Sequence, residues 1–477
     1  MDASQPSLKK PAMVALAALG VLLIGAIIFF QERLFADTSF IAFNIINNNS
    51  LSIQEHRYGS FITQIVPYLG TKFHLSIKAI LISYAISFNL FYLFAAYLLV
   101  YKLKQYGLAI LMAFFYFLFV SDSYFWPVNE INQAIAWMFL FFGVTLYLGN
   151  KRLNIFVLLM PFLLLAFLTI FTHFVVIIPT TFLWVYFWMD GRKWPFSKNR
   201  SILLSCLLIA VAGIKFSLAS EQSYDGEHLH GATHFSLQDI IDAFITPVIK
   251  MFFYRCLVNY WWAVIVFILG ITSLVKEKQK ILAIWVFVSV TGYCIAMGLV
   301  YGTLDSNVQL FHIESEWTCI SVILSTPFVF SFLPKLKPTM AVWFLIVIFI
   351  TRLFYIGTSI PAFRGRIQLQ EHILLQMKKK GIPKLALYRD NVINQKYMLD
   401  WTAGFESLFS SAMNGDKPQL TFCFINKDDK QNTEALANPK QYYRPFYIID
   451  YSDLNKRYFN IDTVHPYQIM TYEELFK

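Results

Sequence analysis

Apolar runs near 20 residues long recur along the chain, separated by short polar segments. They fall at roughly 12–30, 76–101, 107–121, 130–149, 153–171, 174–189, 201–219, 257–275, 281–302, 317–333 and 339–357. A run of that length crosses a hydrocarbon core about 30 Å thick as a helix. The pattern predicts an α-helical polytopic membrane protein with about eleven spans over residues 1–357. The first run carries no small-residue cleavage site and reads as a retained span.

Charge sharpens this picture. Every second connecting segment is basic: Lys9 and Lys10, Lys102 and Lys104, Lys151 and Arg152, Arg192 through Arg200, Lys276 through Lys280, Lys335 and Lys337. The alternate segments are acidic, with Asp37, Glu55, Asp122, Glu130, Glu221, Asp225, Glu227, Asp305, Glu314 and Glu316. Basic loops stay on the cytoplasmic side. The N-terminus is therefore expected inside, and the acidic segments outside.

Two regions depart from the alternation. Residues 31–75 are too long for a turn and too polar to cross. Phe40, Phe43, Ile46 and Ile53, then Phe61, Ile65 and Leu69, suggest short amphipathic helices on the outer surface. Residues 358–477 hold only short apolar runs. Strand-like segments at Leu385–Tyr388, Leu420–Ile425 and Phe446–Ile449, with helix-like segments near 366–380 and 402–413, predict a small soluble α/β domain. An odd number of spans puts it outside.

Composition agrees. The 477 residues are 57% hydrophobic and 14% charged, with a mean hydropathy of +0.53. Soluble chains carry about 25% charged residues. The net charge of +10 sits in short loops, so topology and not nucleic acid explains it. The five cysteines are scattered, with no CxxC pair, and read as small core residues. There is no Walker A or GxGxxG pattern, which argues against a nucleotide-driven enzyme.

Candidate chemistry concentrates on the acidic side. Asp37 follows the first run by a few residues and opens a helical segment. It has two readings: an N-cap that accepts from free backbone N–H groups, or a general base at the membrane surface. His56 and Arg57 follow on the same loop, Glu130 opens the fourth run and His173 lies at a turn. Arg255 lies at an outer end. His312, Glu314 and Glu316 precede the tenth run together with Trp317. Carboxylates there can accept hydrogen bonds and cations can hold an anionic group. Asp225, Glu227, His228, His230 and His234 could hold a metal on paper, without a fixed ligand spacing. A divalent metal is the cofactor such a cluster would take.

The stretch Asp37-Thr38-Ser39-Phe40, followed by His56-Arg57-Tyr58, sits in a layout that resembles the GT-C superfamily of integral-membrane glycosyltransferases, most of all its bacterial members. That family has an inside N-terminus, a long first outer loop of amphipathic helices, an acidic residue soon after the first span and often a soluble outer domain. The paired Asp-Glu or Asp-x-Asp of some branches is missing here. The resemblance implies transfer of a sugar from a polyprenyl-phosphate donor to a glycan, lipid or protein acceptor. It implies Asp37 as base, and His56, Arg57, Glu130, His173, Arg255, His312, Glu314 and Glu316 as substrate-binding groups. It places the chain in a bacterial inner membrane with residues 358–477 periplasmic. A lipid-linked glycan polymerase or ligase is one rival, although those often carry their long outer loop late in the chain. A transporter or flippase of envelope glycolipid is another, and it would require broken helices and charges buried inside spans.

Overall fold

The computed structural model describes residues 6–151, 154–191, 194–218, 226, 235–301, 310–389, 397–427, 435–444 and 447–477. The loop residues Asp225, Glu227, His228, His230 and His234 lie outside the described residues, as do Arg152, Arg192, Lys193, Glu221 and Asp305.

The helices are α1 (Lys9–Ile28), α2 (Asp37–Asn48), α3 (Phe61–Lys72), α4 (Ile77–Tyr97), α5 (Tyr106–Leu118), α6 (Glu130–Asn150), α7 (Ile155–Ile170), α8 (Ile177–Asp190) and α9 (Lys198–Leu218). They continue with α10 (Leu237–Ala243), α11 (Pro247–Val258), α12 (Trp261–Lys276), α13 (Lys280–Tyr301), α14 (Leu310–Trp317), α15 (Ile320–Pro327), α16 (Pro338–Lys380), α17 (Ala403–Asn414) and α18 (Tyr472–Phe476).

The chain is a helical membrane protein. Six helices among the described residues are long and apolar enough to cross a bilayer, and up to eight spans result if each of two bent pairs counts as one. The pairs are Leu237–Val258 with Trp261–Lys276, bent by 85°, and Leu310–Trp317 with Ile320–Lys335, bent by 55°. Side-chain sorting shows how these helices sit. In α1 the small residues Ala12, Ala15, Ala18 and Ala26 are buried with Leu19 and Leu22, against α4, α5 and α16, while Ile24 and Ile28 are exposed. A face of that kind is the one offered to lipid. The helix α5 is buried on all sides and forms the centre of the bundle.

The region 31–75 divides. The helix α2 does not lie on the surface: Ile41, Phe43, Ile45 and Ile46 are buried. Its covering comes from the C-terminal part of the chain, where Phe43 packs on Phe405, Tyr442 and Phe459. The helix α3 has the surface character expected of both. It buries Thr63, Gln64 and Thr71 and exposes Val66 and Leu69, with Phe73 just beyond. Such inverted sorting fits a lipid-facing helix.

The helix α16 runs 43 residues without interruption from Pro338, through the point near 357 where the apolar run ends. It stops at Gly381, whose φ of 67° suits a residue without Cβ, with Lys378, Lys379 and Lys380 on its negative end. Beyond it, β1 (Lys384–Tyr388) pairs in parallel with both β2 (Thr421–Ile425) and β5 (Gln468–Met470), and β3 (Gln441–Arg444) with β4 (Tyr447–Asp450) in an antiparallel ladder. The crossover from β1 to β2 includes α17, which packs on β2 and α2. Polar ties hold this part down: Asn455 donates to Asn47 Oδ1 at 2.9 Å and to the Ile46 carbonyl at 2.8 Å.

Candidate active site

A cavity of about 410 Å³ opens where α2, the N-terminus of α6, the turn between α7 and α8, and α14 meet. Its lining brings together Asp37, Arg57, Glu130, His173, His312 and Glu316. These residues are far apart in sequence. They converge because each lies at a helix end or turn on one end of the bundle.

Local structure explains how the carboxylates come to face the cavity. Ala36, not Asp37, is the N-cap of α2, and no side chain caps that helix. Asp37 is the first helical residue, and its Oδ2 instead accepts from Trp126 Nε1 at 3.1 Å. The capping reading of Asp37 is thus corrected. Similarly, Asn129 is the N-cap of α6 and accepts from the Ile131 N–H at 3.0 Å. That leaves Glu130 to pair with Arg57, with Oε2 2.8 Å from Nη1. Burial pushes the Asp37 carboxyl up to about 6, and Glu130 adds to the rise; the Trp126 hydrogen bond and Arg57 oppose it.

His173 does two things. Its Nδ1 accepts from the Val175 N–H at 3.3 Å at the start of a short 3-10 turn, and the ring lines the cavity. Accepting at Nδ1 puts the ring proton on Nε2 in the neutral form. His312 rests edge-on against Trp126, with ring centroids 5.2 Å apart. Glu316 is 7% exposed, and its Oε2 has no hydrogen-bond partner among the described residues.

Three expected binding residues stand elsewhere. His56 is exposed, with φ at +55° and Nδ1 3.1 Å from the Tyr58 hydroxyl. Arg255 donates to Asn259 Oδ1 at 3.2 Å, away from the cavity. Glu314 points to the far side of α14. There it accepts from the Ser121 N–H at 2.9 Å, the Ser123 N–H at 2.7 Å and the Tyr260 hydroxyl at 2.7 Å.

No family model, curated protein or solved structure matches this chain. Among the described residues, no group of three or more His, Cys, Asp or Glu is arranged to hold a metal ion.

Sequence reasoning missed several groups. Trp126 precedes Pro127-Val128-Asn129-Glu130 directly, so its closeness to Glu130 was visible, but not its bond to Asp37. Trp401 and Leu399 reach the cavity from the C-terminal part, and no local signal marks them. Arg33, Arg352 and Arg366 are buried, and each holds backbone carbonyls: Tyr124 for the first, Phe117 and Val120 for the second, Met398 for the third.

The support behind Asp37 also comes from the C-terminal part. Ala36 has φ 51° and ψ −124°, a conformation costing about 1–3 kcal/mol outside glycine. Its N–H donates to Glu406 Oε1 at 3.1 Å. Glu406 is itself held by Arg366 and by the Thr402 hydroxyl at 2.6 Å. Asp37 is therefore fixed through one neighbour by a buried ion pair.

Proposed function

We propose that this protein is a GT-C-like membrane glycosyltransferase that moves a sugar from a polyprenyl-phosphate donor to an acceptor hydroxyl. The observation that carries this reading is Asp37: a rigidly placed carboxylate with a raised pKa, lining a cavity at one end of a membrane helix bundle. Its Oδ2 is engaged by Trp126, which leaves Oδ1 to take the acceptor proton. The acceptor oxygen then bonds to the anomeric carbon. The bond from that carbon to the phosphate oxygen breaks, and its electron pair leaves with the polyprenyl phosphate. Arg57 is the guanidinium in the lining and suits the departing phosphate. Trp126 and Trp401 line the cavity as large aromatic groups against which a sugar could pack.

The fuller topology belongs to the same proposal. The three shorter apolar helices Tyr106–Leu118, Ile155–Ile170 and Phe174–Asp190 would bring the count to eleven spans. With the N-terminus cytoplasmic, the cavity and residues 358–477 then face the periplasm of a bacterial inner membrane, the side where lipid-linked sugars are consumed.

A transporter of envelope glycolipid is the second reading, favoured by the two bent helix pairs. Against it, the break between α11 and α12 is closed by protein: Arg352 binds the Asn259 carbonyl there. Such a break offers little backbone to a cargo.

The test is transfer by the purified chain, reconstituted in lipid, from labelled polyprenyl-phosphate sugars to extracted envelope lipids and glycans. A labelled product that requires Asp37 is expected. Vesicle transport of glycolipid without any transfer would overturn the reading in favour of a transporter.

A further inference from the structure

The cavity is strongly acidic. Asp37, Glu55, Glu130 and Glu316 line it against a single guanidinium, Arg57, among the described residues. Arg57 is already bonded to Glu130 at 2.8 Å. Glu316 is the telling member. At 7% exposure its Oε2 has no hydrogen-bond partner among the described residues, although Glu314, two positions away, has three donors. A buried carboxylate without a partner is unfavourable unless it takes up a proton or a ligand completes it.

Two kinds of ligand bring positive charge. A metal ion needs several converging ligands, and the described residues hold no such group. A protonated amine needs one or two carboxylates and an apolar wall. The cavity supplies both, with Trp126 and Trp401 beside the acids. A wholly neutral sugar would give the ionised carboxylates no counter-charge, and an additional anionic substituent would be repelled.

We infer that the sugar bound in this cavity carries a free primary amine, seated as an ammonium group on Glu316. The inference rests on the proposed reading of the cavity as a sugar site and names its substrate class.

The experiment uses matched polyprenyl-phosphate sugars that differ in one substituent, an amine, an acetamide or a hydroxyl, at each ring carbon in turn. Binding and transfer are measured separately on the reconstituted chain. One amine series should bind roughly 10–100-fold tighter than its hydroxyl partner, the range of a charged hydrogen bond. Glu316→Gln should erase that preference and Glu316→Asp should keep part of it, with thermal melting used to check that each variant is folded. Transfer without any amine preference would overturn the inference and leave the transferase reading standing. Tight, Glu316-dependent binding of the amine form without transfer would do the reverse. A preference that survives in folded Glu316→Gln also overturns it, as does Glu316-dependent binding of Mg²⁺ or Mn²⁺ alone with no amine preference. Binding of none of the sugars overturns both.

Discussion

The two sides of α14 face different surroundings. On one side lies a packed wall, where Glu314 takes three hydrogen bonds and the buried Arg352 donates to the carbonyls of Phe117, Val120 and Asn259. On the other lies the cavity, where Glu316 Oε2 has none and Asp37 has one, from Trp126. Both sides bury ionisable groups. Glu314 and Glu316, two residues apart on one helix, point about 200° apart at 3.6 residues per turn. The difference teaches how to sort buried carboxylates. One saturated by backbone donors joins segments of chain, and one short of donors is available to a ligand or a proton.

Asp37→Asn probes the cavity side most strongly. The variant can still accept from Trp126, and it leaves Ala36 as the N-cap, so the fold should be kept. A carboxyl whose pKa is raised in the fold contributes stability that is fully present only below its unfolded value, about 4, and is lost as the pH rises through about 6. Removing that charge should leave melting at pH 7.5 unchanged or slightly higher. Turnover of a polyprenyl-phosphate sugar should fall by roughly 10²–10⁴-fold, the contribution of a positioned base. Full turnover in folded Asp37→Asn would place Asp37 with the structural carboxylates.

Glu314→Ala probes the packed wall. It would leave the Ser121 and Ser123 N–H groups and the Tyr260 hydroxyl without their acceptor. Each buried group left unsatisfied costs about 1–3 kcal/mol. A large drop in melting temperature is expected, compared at one scan rate because such unfolding is often irreversible. Glu316→Gln should melt near the wild type. Equal losses in the two variants would mean that Glu316 is structural as well.

The contrast within α14 was not legible in the sequence, where His312-Ile313-Glu314-Ser315-Glu316-Trp317 offered both carboxylates as equals. Helical spacing separates them by direction, but only the packed structure shows which direction holds donors. Long-range features were hidden for the same reason. Nothing near Trp401 says that it reaches Asp37's cavity, and α2 reads as an amphipathic surface helix until Phe405 and Phe459 are seen covering it. The membrane helices were legible because a long apolar run has one main use in a chain of this composition. So was the pool of polar helix ends from which Asp37, Glu130 and His173 come. The strands β1, β2 and β4 stood out as short apolar runs, whereas β3, in Gln441-Tyr442-Tyr443-Arg444, has no such run to mark it.

The pH profile is a finer probe of the cavity. With a base at about 6, kcat/KM should rise tenfold per pH unit below that value and level off above it. Glu130 raises the Asp37 pKa by repulsion, so Glu130→Gln should move the acid limb to lower pH. Trp126 lowers it by donating to the carboxylate, so Trp126→Phe should move the limb to higher pH. Opposite shifts in the two variants, read from profiles at matched folded protein, would fix Asp37 as the titrating group. Shifts in the same direction, or none, would assign the limb to another group.

The smallest effect is expected at the point where the two kinds of environment meet. Ala36 belongs to the satisfied network, through its N–H on Glu406, and sets the direction of Asp37 next to it. Its φ of 51° with ψ −124° is readily adopted by glycine alone. Ala36→Gly keeps the N–H and its bond while removing the Cβ that makes this conformation costly. Relief of strain is opposed by the loss of one buried methyl and by a more flexible unfolded chain, so melting should stay close to the wild type. What changes is rigidity. A glycine lets α2 sample other starting directions, and Asp37 would lose some of its alignment. Misplacement by about 1 Å can cost 10²-fold in rate, and partial loosening should cost roughly 2–5-fold in kcat, with KM for the donor nearly unchanged. A drop in melting temperature as large as that of Glu314→Ala would show that the Ala36 methyl is needed for packing. Unchanged kcat would show that Asp37 is aligned by Trp126 alone, without help from the Glu406 network.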